Sequence, residues 1–406
     1  MNKTPMNNDL RVPFHRPSIG AEEIQAVSQT LESGWLTSGP KTAEFERNFK
    51  DCVGVPHALA VNSCTAGLHL ALAALGLGPG DEVITTPLTF CATVNVIMHT
   101  GATPVLADIG PDFNIDPESA ASRITSRTRA ILPVHFAGLP CKMDEIWSLA
   151  REHGLYVVED CAHSLGAKYK GVPTGSSPLD GGRGSDAAAY SFYATKNITT
   201  GEGGMVVTPH GAIADKMKVL CLHGISRDAW NRYSAKGNWY YEVNEAGFKY
   251  NMSDIQSAVG IEQLKKLEIF AGRRRQLVQL YDELLGGVEE CVLPPRSEES
   301  EHAWHLYALR LNLDRLCIDR TAFMDLLRER GVGASVHFIP IPMHPFFREY
   351  AGLAQNACPE AMALYPRLVS LPLFPAMTGD DVAYVADAVK SILAEHRKTA
   401  TVGVTA

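Results

Sequence analysis

Between residues 57 and 209 the chain repeats one pattern: short apolar runs alternate with helix-like stretches that stop at glycine. "HALAVNS" (57–63) reads as a strand, and "CTAGLHLALAALGLG" (64–78) as an Ala/Leu helix. "DEVITTP" (81–87) is a strand closed by Pro87, and "TFCATVNVIMHTG" (89–101) a helix stopped by Gly101. Strands follow at 103–109 and 128–136, a helix at 142–154, and strands at 155–161, 186–194 and 203–209. Such alternation implies βαβ units around a mostly parallel sheet. Sheets of this kind hold ligands beyond the carboxyl ends of their strands.

The pattern changes near residue 250. Residues 253–286 read as long helical material, with Ser253 and Asp254 placed to cap its start and Gly272 marking a break. A strand at 302–312, a helix at 319–331, a strand at 334–340 and a capped helix at 378–398 complete an α+β region. A chain of 406 residues has room for two domains. The expectation is a large domain over 12–252, followed by an interdomain helix and a small C-terminal domain over 253–398. Residues 175–185, "GSSPLDGGRGS", read as a loop inside the large domain.

A net charge of −8 offers no general attraction to nucleic acid or to an anionic membrane, so an anionic ligand needs a local site. The nine cysteines include no CxxC pair and their number is odd, which speaks against a disulfide framework or a zinc knuckle and for a reducing compartment. The N-terminus has no apolar signal core, and no run of about 18 apolar residues exists. A cytoplasmic protein with no bound metal is expected.

Four strand ends carry candidate chemistry. "NSCTAG" opens a helix whose first amides, at Cys64 and Thr65, could cradle a phosphate, with Ser63 and Thr65 adding hydroxyls. Taken alone, it is plain N-capping by Ser63. Asp160 follows the strand 155–159 and needs a partner, either nearby amides or a protonated pyridine nitrogen. His163 lies three residues on; a lone histidine is more often structural. Lys196 follows the strand 186–194 in "SFYATKNITTGEGG", with Ser191 five residues before it and Gly201, Gly203 and Gly204 after it. Alone it is a turn lysine, although glycines permit close backbone approach. Phe90 follows the strand 81–87; alone it is core packing. Together, a phosphate cradle, a flat aromatic, an aspartate and a lysine are what pyridoxal phosphate (PLP) requires. The lysine holds the aldehyde, and the aspartate keeps the ring nitrogen protonated.

The stretches "VEDCAHSLGAKYKG", "SFYATKNITTGEGGMVVT", "GFKYNMSDIQSAVGIEQLKKL" and "ESGWLTSGPKTAEFE" resemble the DegT/DnrJ/StrS sugar aminotransferases, over about residues 12–392. Within that family the chain is most similar to the branch acting on UDP-4-keto sugars, of the type that forms UDP-4-amino-4-deoxy-L-arabinose. The resemblance implies a fold-type-I, aspartate-aminotransferase-like α/β homodimer with active sites at the subunit interface. It assigns Lys196 to the cofactor aldehyde, Asp160 to the ring nitrogen, Phe90 to ring stacking, and Ser191 with Cys64 and Thr65 to the phosphate. His163 stands where many members have a glutamine near the ring or the substrate. The chain departs from the pattern at "GFKYN": Lys249 holds the place of an asparagine and Asn251 that of an arginine, and either could reach the partner's phosphate. The loop at 175–185 is longer than in the arabinose branch.

The implied reaction is a ping-pong transamination, with L-glutamate as amino donor and a UDP-linked 4-keto sugar as acceptor. Arg183, Arg227, Arg232 and Lys249 are candidate cations for these substrates, and His337 and His344 candidate lining residues on the nucleotide side. One alternative is a PLP-dependent sugar dehydratase of the same family, in which a histidine replaces the lysine; Lys196 counts against it. The other is a non-catalytic regulatory protein on the same fold, against which the intact Lys196, Asp160 and Ser191 set counts.

Overall fold

The computed structural model describes residues 10–176, 184–225, 241–350 and 357–398. Two helices precede the first strand, α1 (Ala21–Glu32) and α2 (Pro40–Val53). Pro40 starts α2 and a left-handed Gly54 ends it, the preferred residue at each position. The alternating region then builds β1 (His57–Val61), α3 (Cys64–Ala74), β2 (Glu82–Thr85), α4 (Cys91–His99) and β3 (Thr103–Leu106). It continues with α5 (Pro117–Ser122), β4 (Thr128–Leu132), α6 (Met143–His153) and β5 (Tyr156–Asp160). A short hairpin, β6 (Lys168–Tyr169) and β7 (Val172–Pro173), precedes β8 (Ala187–Ser191), β9 (Gly204–Thr208) and α7 (Gly211–Cys221).

Seven of these strands form one sheet in the order β1-β9-β8-β5-β4-β2-β3. β9 runs antiparallel to β1 and β8, whereas the other pairs are parallel. The carboxyl ends of β1, β5 and β8 therefore share an edge with the start of β9. Gly204 pairs with both Val61 and Ser191, and Asp160 pairs with Ala189. Helices cover both faces, so the central strands are nearly continuous apolar runs. α3 carries Leu68, Leu70 and Leu72, all fully buried, because it is packed on every side.

The C-terminal part begins with α8 (Asp254–Lys265) and α9 (Leu267–Leu285). It adds β10 (Cys291–Val292), β11 (Ser300–Glu301), β12 (Tyr307–Leu311), α10 (Arg320–Glu329), α11 (Pro345–Arg348), α12 (Pro359–Leu364), β13 (Leu368–Leu371) and α13 (Gly379–Glu395). β12 is the centre of an antiparallel sheet β10-β12-β13, and β11 extends the β6–β7 hairpin. Tyr281, Tyr307, Phe323, Val389 and Ile392 lie in the core beneath the smaller sheet, and Val12 from the N-terminal segment joins them. Among the described residues no helix is long and apolar enough to cross a membrane.

Four expectations are corrected. Gly272 lies inside α9, and the helix pair instead breaks at Lys266. There the ammonium binds the buried carboxylate of Glu23, tying the junction to α1 (2.7 Å). Residues 302–306 are not strand. Trp304 adopts φ 50°, and the amides of Ala303 and His305 donate to Gly138 and Ala137 instead of extending β12. Residues 334–340 form no strand either; a single bridge joins Ser335 to Ser370. Pro340 brings no N–H, and Phe338 packs its ring against His163. Ser253 and Thr378 form capping boxes at α8 and α13 as expected, but Asp254 does not cap α8: its carboxylate accepts from the Gly39, Lys41 and Thr42 amides at the start of α2.

Candidate active site

The shared sheet edge gathers the predicted residues into one cavity of about 330 Å³. Cys64, Thr65, Phe90, Asp160, His163, Ser191 and Lys196 all line it. Lys196 sits in a turn fixed on both sides. Its own amide donates to Tyr193, and the next residue, Asn197, is buried and ties Leu165 and Ala303 together through its amide group (3.1 and 3.0 Å). The Lys196 ammonium has no hydrogen-bond or ion-pair partner among the described residues. Burial pulls its pKa down to about 8, against the opposing charges of Cys64 and Asp160.

Asp160 ends β5 and is 6% exposed. Burial raises its pKa; hydrogen bonds from the Ala162 amide (3.0 Å) and the Thr93 hydroxyl (2.9 Å) and the charge on Lys196 pull the other way. Thr93 is itself paired with Thr89, one helical turn earlier (2.7 Å). Sequence reading missed this pair; its signal is the i,i+4 spacing of two threonines at the start of α4. His163 is buried against Phe338, with ring centroids 5.6 Å apart, and its Nδ1 has no partner among the described residues. Burial, reinforced by Lys196 and His337, holds its pKa well below the usual range.

At the start of α3 both readings of Ser63 meet. Its hydroxyl caps Ala66, while the amides of Cys64 and Thr65 point off the helix end with no intrahelical acceptor. Ser191 closes the other side from the end of β8. Between them lies Gly204, where a Cβ would stand 2.6 Å from the Cys64 nitrogen and from the Ser63 carbonyl carbon. Gly203 is as tightly placed, against Thr200 and Met252, whereas Gly201 has open space and instead supplies φ +82°. The expected close packing thus holds at Gly203 and Gly204 and fails at Gly201. Phe90 is 60% exposed at the cavity wall, with the Phe338 ring tilted beside it at 6.0 Å between centroids.

These residues fit PLP on the structure's own terms. A phosphate finds free helix-start amides and a serine, a ring nitrogen finds a buried acid, and an aldehyde finds an unpaired amine of lowered pKa. A metal does not fit the buried group His135–Glu159–Cys161 behind the sheet. The Cys141 amide donates to His135 Nδ1, so Nε2 carries the proton and donates to Glu159 (3.0 and 2.8 Å), leaving no free lone pair.

Residues 17–390 match the DegT/DnrJ/EryC1/StrS aminotransferase family. The chain belongs to this family. It is 52% identical over 387 residues to MJ1066, an uncharacterized protein of Methanocaldococcus jannaschii, covering 95% of this chain and 98% of that one. It is 48% identical to SpsC, a spore coat polysaccharide biosynthesis protein of Bacillus subtilis, covering 94% and 97%. Among solved structures, Spr1654 of Streptococcus pneumoniae in its PMP form superposes with a TM-score of 0.88 at 32% identity, covering 95% of this chain and 100% of that one. The same protein is also known in a PLP form. The protein is therefore a PLP-dependent sugar aminotransferase of fold type I, as the resemblance implied.

Other expected site residues are dispersed. His337 lines the cavity and bonds Ser370 (2.9 Å), but His344 is not part of the lining. Arg183, Arg227 and Arg232 lie outside the described residues, as does most of the 175–185 loop. Lys249 and Asn251 are bonded to each other (2.5 Å), and Asn251 is tied inward to Ser38 (2.8 Å). His305 was overlooked, because its segment reads as strand.

Gly204 gives a direct test of the cradle. Gly204→Ala is expected to cost about 1–3 kcal/mol of stability, since the new methyl meets backbone rather than a movable side chain. It should also weaken PLP binding, whereas Gly201→Ala should strain only its own turn. Denaturant unfolding and PLP titration check both.

Proposed function

We propose that this enzyme moves the amino group of L-glutamate to a nucleotide-linked keto sugar, a UDP-4-keto sugar, with Lys196 as the catalytic base. One observation carries the reading: Lys196 is an unpaired amine, lowered to about 8, in one cavity with a buried acid and a phosphate cradle. PLP, when bound, supplies an aldehyde that takes up the donor's nitrogen and a ring that draws electrons from the adjacent carbon.

The chain's own residues do the rest. Burial lowers the Lys196 pKa to about 8, so Nζ can both take and return a proton. Asp160 offers its carboxylate to a protonated ring nitrogen and is oriented for it by Thr93 and Ala162. Neutral His163 can share a hydrogen bond with the ring oxygen or the substrate. Cys64, Thr65 and Ser191 bind the phosphate, and Phe90 supports the ring. The enzyme works as a homodimer, and Lys249 reaches toward the partner's phosphate: it is the exposed member of a pair whose other half, Asn251, is held inward.

The donor and the sugar nucleotide are supported by the sequence likeness to the UDP-4-keto-sugar branch. Purified enzyme should form glutamate-dependent amino sugar from UDP-linked 4-keto sugars in preference to GDP- or dTDP-linked ones. Borohydride treatment of the loaded enzyme should leave the label on Lys196. Label on another lysine, or equal use of all three nucleotides, would overturn the corresponding part.

A further inference from the structure

The two halves of the proposed reaction ask for different recognition chemistry. An amino acid brings a carboxylate, which is best met by a cation. A sugar brings hydroxyls, which are met by groups that both donate and accept. One wall of the cavity is of the second kind.

His163 and His305 stand 4.3 Å apart between ring centroids and are tilted by 43°. They are 6% and 5% exposed, and Nδ1 of each lacks a partner among the described residues. Both line the cavity that contains Lys196. Those Nδ1 atoms are closed off from the cavity, whereas Nε2 of neither ring is buried or bonded to protein among the described residues, so the two Nε2 atoms mark a place for a ligand oxygen.

The wall is also rigid. The His305 amide donates to Ala137 (3.0 Å). Its carbonyl, with those of Trp304 and Leu373, accepts from the buried guanidinium of Arg274 (3.3, 3.0 and 2.8 Å). A Cβ on Gly138 would stand 2.8 Å from the His163 carbonyl and 3.2 Å from the His305 amide, so the two backbones are clamped together there. Burial, with Lys196 and Arg274 close by, keeps His305 uncharged at neutral pH. A neutral imidazole wall is poorly suited to a carboxylate and well suited to a hydroxyl.

Resting on the keto-sugar reading above, we propose that His163 and His305 together bind a hydroxyl of the acceptor sugar, and that His305 is a specificity residue of the sugar half-reaction. His305→Phe keeps the ring packing and removes both nitrogens. His305→Asn keeps a polar atom near the position of Nδ1, and His305→Gln one near Nε2.

Each half-reaction can be followed alone by the cofactor's absorbance: the PLP form with L-glutamate, and the PMP form with the keto sugar that the wild type accepts. PLP affinity, read by fluorescence titration, controls for damage to the cofactor site. His305→Phe should slow the sugar half at least about tenfold. It should change the glutamate half and the PLP affinity by no more than about twofold, and His305→Gln should recover the sugar half better than His305→Asn. Equal losses in both halves, an unchanged sugar half, or a collapse of PLP affinity would overturn the assignment. Should His305→Phe not fold, the Asn and Gln variants decide, and equal sugar rates in the two would overturn it. A wild type that reacts with L-glutamate but with no keto sugar would instead overturn the acceptor reading, and this assignment with it.

Discussion

Lys196→Met is expected to lower turnover by about 10³–10⁴-fold or more while making the cofactor-free protein more stable. The two effects share one cause. Burial brings the amine from 10.5 to about 8. Between those values the folded protein binds fewer protons than the unfolded chain, so this group's contribution to stability improves as pH rises from 8 to 10.5. Below 8 the whole penalty is present, on the order of 3 kcal/mol. Methionine fills similar space and carries no charge, so it recovers much of that penalty at pH 7. Thermal unfolding of the cofactor-free proteins should show the variant melting about 3 °C or more above wild type. Wild-type turnover, limited by the uncharged amine, should rise with pH toward about 8. A Met variant with near-normal turnover would remove Lys196 from the mechanism. One that is inactive and also less stable would show that the amine is not strained by burial. The site thus keeps an unfavourable buried group for its reactivity, a common exchange of stability for function.

How much of this was open to sequence reasoning depended on how local each signal is. The strands ending at Val61, Asp160 and Ser191 were legible, because a short apolar run followed by a turn or a helix start is a local pattern, and strand ends in a parallel sheet converge by topology. The start of β9 joins them only because it runs antiparallel, and that is a property of pairing rather than of composition. Gly204 was visible as a glycine; that it lies between Val61 and Ser191 was not. His305 was hidden for the same reason. Its segment alternates like a strand, but its amides are claimed by the Ala137–Gly138 turn from far away in the chain. Residues 334–340 misled similarly, since an apolar run next to prolines can as well line a site as join a sheet. Gly272 shows the converse: a glycine with room for a side chain has no structural duty there, while Lys266, an ordinary surface residue by type, bends the chain through its bond to Glu23.

Asp160→Asn should separate charge from packing at the second decisive residue. Asparagine has nearly the same shape, and its carbonyl can still accept from the Ala162 amide. Its NH₂ then faces the Thr93 hydroxyl, which can turn to donate to Thr89 and accept instead. The stability cost is therefore expected to be small, about 1 kcal/mol, whereas Asp160→Ala strands both donors and costs more. Turnover should nevertheless fall about 10²–10⁴-fold, because an amide cannot hold a proton on the ring nitrogen as a carboxylate does. A second consequence runs the other way. The negative charge of Asp160 is one of the two influences holding the Lys196 pKa up, so its loss lets that pKa fall further below about 8. The Asn variant should consequently take up PLP at a rate whose rise with pH begins earlier than in wild type, even as its turnover collapses. Stopped-flow absorbance across pH 6–9 reads the first effect and steady-state turnover the second. A variant with turnover within about threefold of wild type would show that this carboxylate does not govern the ring nitrogen. An unmoved pH profile would show that Asp160 and Lys196 are not electrostatically linked.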